Sequence, residues 1–229
     1  MSNSLQAILQ KLPGPKADTD DWLERLRADA LKTISSRDYP STKEESWKYT
    51  SLHALKKSDY LIAEEHNSGG LLKKIYSRND FLEADKLHLV FINGFFQPDL
   101  SSDELLQNGI NIRPTATKKA DEKYNLETIL KTGLTETFSA LNILTLCDSL
   151  LIEVEKNRII DKVIKLIFIG ESPEPLLKSL RIIVKMNENS EARIVEEYRS
   201  HDKDIGFTNV VTNLRLGQNS TLYHHRLQI

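Results

Sequence analysis

Thiol chemistry and soft-metal ligation have one candidate residue in this chain, Cys147. Zinc and cluster sites draw on several thiolates or imidazoles at short spacing, and a lone Cys forms no CxxC pair. Cys147 stands at the end of an apolar helical pattern, between Leu146 and Asp148. No basic neighbour is at hand to lower its pKa, so a buried small hydrophobe is expected rather than a nucleophile. His224-His225 is the one adjacent histidine pair. Neighbours on a strand point to opposite faces, so one ring faces inward, one outward, and they cannot share an ion. His201-Asp202 lies in a polar stretch with Lys203 and Asp204 and reads as a hydrated turn. Glu64-Glu65-His66 has the residue types of an acid–base cluster, but its polar setting offers nothing to shift a pKa. Gly69-Gly70 is not followed by Lys-Ser/Thr, and no dinucleotide fingerprint is present. Trp47 and Tyr49 could stack a ligand, but the periodicity around them points to packing. No catalytic, cofactor-binding or metal-binding residue is therefore assigned. The chain reads as a structural or interaction protein and not as an enzyme.

The elements around these residues begin with helices. Leu5, Ile8, Leu9 and Leu12 recur at helical spacing until Pro13-Gly14-Pro15 stops them. Asp20 can cap a second helix whose apolar stripe is Leu23, Leu26, Ala30 and Ile34, closed by Pro40. Thr42-Lys43-Glu44-Glu45 has the form of a capping box leading into Trp47 and Tyr49, a packing anchor. The stretch from Leu61 to Gly70 is polar and reads as a loop. Leu87 to Ile92, Asn93-Gly94 and Phe95-Phe96 spell a two-residue hairpin, because Asn-Gly tolerates positive φ at both central positions. Ser101 and Glu104 suggest a second capping box, opening a short helix that Gly109 ends. Ile110 to Ile112 reads as a short strand. Helical patterns return over Leu126 to Lys131 and Glu136 to Leu146.

After Asp148 strand-length runs dominate: Leu150 to Val154, Val163 to Ile169, Leu180 to Met186, Arg193 to Glu197, Asn209 to Leu216 and Thr221 to Arg226. Their spacing, with no helical crossovers, fits a sandwich, a barrel or a stacked β-helix and excludes a doubly wound sheet. The expected division is an N-terminal helical α+β domain over 1–147 and a β region over 148–229.

The 229 residues carry a formal net charge of −2, with 39% hydrophobic and 28% charged residues. That is an ordinary globular composition without the basic footprint of a nucleic-acid binder. No apolar run approaches the roughly 20 residues that span a bilayer, so no membrane association is expected. The N-terminus has no secretory pattern. One Cys cannot make an internal disulfide, which fits a reducing cytoplasm.

Several strings, in order, resemble the SufD family of iron–sulfur cluster assembly scaffolds. Glu44-Glu45-Ser46-Trp47-Lys48-Tyr49-Thr50-Ser51-Leu52 resembles its E-x-W-K-Y-T-x-L segment, which also favours SufD over the paralogue SufB. Val90 to Phe96 with Leu100-Ser101 looks like its N-G hairpin, and Phe138-Ser139-Ala140-Leu141-Asn142 is similar to its F-x-A-L-N helix. Arg181 to Val184, Glu196-Glu197-Tyr198, Thr208-Asn209, Leu222-Tyr223-His224 and Leu227-Gln228 resemble the start of its β-helix. Asp148-Ser149 stands where the family usually has Asp-Gly, and Leu180 where it usually has Pro.

The resemblance implies a right-handed parallel β-helix behind a helical N-terminal region, with 148–229 as its first coils. It implies a scaffold that pairs with a SufB-like paralogue and a SufC-like ATPase in a complex that assembles an iron–sulfur cluster. The strand pattern runs through to Arg226-Leu227-Gln228-Ile229, so a truncated β-helix is expected, with the partner contacts and cluster residues beyond it. No cofactor is then expected on this portion alone, and its open end is expected to self-associate. The alternatives are a carbohydrate-active or lyase-type β-helix enzyme, needing Glu153, Glu155, Glu196 and Glu197 on one face, or a plain protein-interaction module.

Overall fold

The computed structural model describes residues 4–12, 21–65, 86–115, 127–200 and 204–229. Pro13-Gly14-Pro15, Asp20, His66, Gly69-Gly70, Leu126 and His201-Asp202 lie outside them. The chain is a mixed α/β protein in which most elements are strands, arranged in two five-stranded sheets; no closed barrel forms among the described residues. The helices are α1 (Ser4–Gln10), α2 (Asp21–Ser35), α3 (His53–Lys57) and α4 (Thr137–Leu144). A helical turn also covers 127–131. The strands are β1 (Leu61–Ile62), β2 (Lys86–Ile92), β3 (Phe95–Phe96), β4 (Ile110–Pro114), β5 (Leu146–Val154), β6 (Val163–Gly170), β7 (Leu176–Met186), β8 (Glu191–Ser200), β9 (Phe207–Leu216) and β10 (Thr221–Gln228).

From β5 onward the chain alternates between the sheets at every strand. The first sheet stacks β4, β5, β7 and β9, with β1 on the start of β7; the second stacks β3, β2, β6, β8 and β10. Pairing is parallel throughout, except that β4 runs antiparallel to β5 and β3 to β2. Ile164 pairs with Ile194 and Ile194 with His224, while Leu150 pairs with Ile182 and Ile182 with Thr212. Each coil therefore lies 30 to 32 residues above the last. Parallel neighbours cannot be joined by tight hairpins. Here the opposite sheet supplies the return path, which explains the absence of helical crossovers.

Alternating residues of both sheets meet between them. Leu89, Phe91, Leu150, Ile152, Ile164, Leu166, Ile182, Val184 and Ile194 form this core. Strand β2, well before residue 148, contributes to it as fully as the later strands. A second core covers the outer face of the first sheet, where Leu151, Leu177 and Ile183 meet Leu5, Ile8, Leu26, Ala30, Ile34 and Leu141 of the helices. The helical stripe of α2 is thus buried as its spacing requires, with Trp22 added to it.

The hairpin at Asn93-Gly94 forms as expected, with φ of 49° and 88°, and Phe91 pairs with Phe96. Five expectations are corrected. Leu61–Ile62, read as loop, form β1 by pairing with Leu176 and Leu177. Ser101 caps no helix: its hydroxyl accepts the Val90 amide and donates to the Gln97 carbonyl, tying the edge of β2. Glu104 instead receives Lys162. The box at Thr42 is shifted by one residue, since Glu44 accepts the Ser41 amide. Tyr49 is 91% exposed; only Trp47 anchors, its ring 5.2 Å from Phe138. Cys147 does not end a helix. Helix α4 stops at Leu144, and Cys147 sits in β5 at an irregularity between Leu146 and Asp148.

Candidate interaction site at the polar end of the strand stack

Three columns of inward side chains run up the second sheet. They are Leu87–Ile164–Ile194–His224, Leu89–Leu166–Glu196–Arg226 and Phe91–Phe168–Tyr198–Gln228. The lower members are apolar. The Phe91, Phe168 and Tyr198 rings stack at 5.0 and 4.8 Å between centroids. The upper members are polar, so the inter-sheet space changes character at β8 to β10.

Glu196 is the hub of that change and is fully buried. Its carboxylate accepts the Tyr198 hydroxyl at 2.7 Å and, from the opposite sheet, the Thr212 hydroxyl at 2.5 Å. Arg226 Nε approaches at 2.8 Å and His224 Nε2 at 2.9 Å. A carboxylate only accepts, so His224 carries its proton on Nε2 to donate here. Burial alone would raise the Glu196 pKa; the two hydroxyls, Arg226 and His224 outweigh it and hold the group below the usual carboxylate range. Burial, reinforced by the same carboxylate, pushes the Tyr198 phenol well up.

Beside this hub lies a cavity of about 590 Å³ bordered by Phe168, Tyr198, Asp204, Val210, Arg226 and Gln228. Asp204 on its lining forms a buried ion pair with Lys178. Burial pulls the Lys178 pKa below the ordinary lysine range, partly offset by Asp204. Gly170 and Gly206 press on this pair so closely that a Cβ at either position would collide with it. The arrangement ties a turn between the two sheets.

The remaining candidates do not converge. Cys147 accepts the Ser179 amide at 3.4 Å, and burial pushes its thiol up to about 11. It borders a second cavity of about 820 Å³ with Lys11, Arg27, Glu64, Glu65 and Glu174. His224 turns inward and His225 outward, as strand geometry demands. The four carboxylates scatter. Glu153 lies on the outer face of the first sheet with Lys185 and Arg113, and Glu155 lies in a turn near Arg158. Glu196 points inward, while Glu197 points outward to Lys165 and Arg199. Among the described residues no group of three or more metal-ligating side chains comes together. No helix among them is long and apolar enough to cross a membrane.

Two features escaped the sequence reading. Asn157, Asn189 and Asn219 all adopt positive φ, near 60°, at successive turns. Their amides form a ladder: Asn189 donates to Asn157 at 2.9 Å and Asn219 to Asn189 at 3.2 Å. Comparing turn residues at an offset of one coil would have found them. Arg181 is fully buried on the outer face of β7, held by Asn213 and the Thr132 carbonyl, and burial lowers its pKa to about 10. Nothing in an alternating strand pattern marks such a residue.

Residues 15–166 match the family model described as the SufBD protein N-terminal region. An iron–sulfur cluster assembly SufBD family protein of Synechocystis sp. is 29% identical over 221 residues, covering 91% of this chain and 48% of that protein. The chain thus spans about half the length of the curated relative it matches.

Proposed function

We infer function from one premise: this chain belongs to the SufBD protein family. It acts as a non-catalytic scaffold subunit in iron–sulfur cluster assembly. The observation that carries this reading is the family match over most of the chain, and the similar Synechocystis protein is named for iron–sulfur cluster assembly. The parallel two-sheet stack supports it, because such a stack gives a rigid platform with long edges and no built-in pocket chemistry. In this reading the stack is the start of a right-handed parallel β-helix over 148–229, and residues 1–147 supply its helical flank and first strands. The Trp47-Lys48-Tyr49-Thr50 string favours the SufD-like branch.

The partners are a SufB-like paralogue and a SufC-like ATPase, contacted through the segment that corresponds to the other half of the longer relative. The setting is cytoplasmic. The nascent cluster is cargo of the complex, and residues 1–229 do not hold it alone. The high Cys147 thiol pKa and the scatter of the acidic residues support that view.

Deleting the gene tests the proposal. Cluster occupancy of iron–sulfur enzymes in the cell should fall and recover when the gene is restored. Unchanged occupancy in the deletion strain would sink it. Anaerobic reconstitution of the isolated chain should give no Cys147-dependent cluster absorbance.

A further inference from the structure

We draw no further inference here: the strongest candidate, the cavity of about 820 Å³ bordered by α2, β1 and the starts of β5 and β7, has as its reactive group only a lone cysteine, Cys147, whose sulfur already accepts the Ser179 amide, while Lys11 and Arg27 on its lining already pair with Asp59 and Glu24, so nothing there identifies a ligand.

Discussion

Arg226 Nε sits 2.8 Å from a Glu196 carboxylate that has no solvent exposure, and the two belong to successive coils. The contact joins β10 to β8, while Thr212 on the same carboxylate joins β9, so one side chain ties the last coil to both sheets. Glu196→Ala should cost about 3 kcal/mol in urea unfolding, since it strands Arg226, His224 and two hydroxyls at once. Glu196→Leu, with no cavity but the same stranded donors, should cost nearly as much.

The same carboxylate gives a pH signature. Its folded pKa lies below its unfolded value of about 4.3. Its stabilisation is therefore complete above that value and is lost as pH falls through the folded pKa. Unfolding midpoints between about pH 6 and pH 3 should drop less steeply in Glu196→Gln than in the parent. Equal slopes would show that Glu196 titrates as a free carboxyl.

The buried pair at the coil corner should behave differently. Lys178→Met leaves Asp204 buried without its cation and should cost about 3–5 kcal/mol. Lys178→Met with Asp204→Leu removes both charges and should recover most of the loss. A double variant as unstable as the single one would mean that the pair is needed for shape and not for charge balance.

At the turns, Asn189 has φ near 56° and bonds Asn157 and Asn219. Asn189→Ala should cost about 2 kcal/mol, from left-handed strain plus lost amide bonds. Asn189→Gly relieves the strain and should cost about 1 kcal/mol. Thermal or urea unfolding separates the two terms, and an equal cost would assign everything to the ladder.

The hairpin at Asn93-Gly94 and the strand runs after Asp148 were legible because turn chemistry and period-2 alternation are local properties. Which strand lies beside which was not. Alternation in Leu180, Ile182 and Val184 says that one face is buried, but not that β5 and β9 flank it at one-coil offsets. Ser101 and Tyr49 misled for a related reason. A capping string and an aromatic pair have several structural uses, and only the tertiary neighbours of Ser101, Val90 and Gln97, choose between them. Glu196 was weighed with Glu153, Glu155 and Glu197 as members of one acidic face, because carboxylates are seldom buried without partners; apart from Tyr198 on its own strand, its partners come from strands 16 to 30 residues away.

Cys147 offers a direct check on the non-catalytic reading. With a thiol pKa of about 11, its thiolate fraction near neutral pH is roughly a hundredfold below that of an ordinary cysteine. Iodoacetamide labelling of the folded chain should be slower in about that proportion and should speed up in denaturant. Rapid labelling of the folded protein would mark Cys147 as activated.

A scaffold role within an assembly complex is tested most sharply by quantitative affinity purification of the protein from its own cells. A SufB-like paralogue and a SufC-like ATPase should co-purify in fixed ratio to it. Recovery of the protein at native abundance, with both absent across gentle salt conditions, would rule out a scaffold role in such a complex.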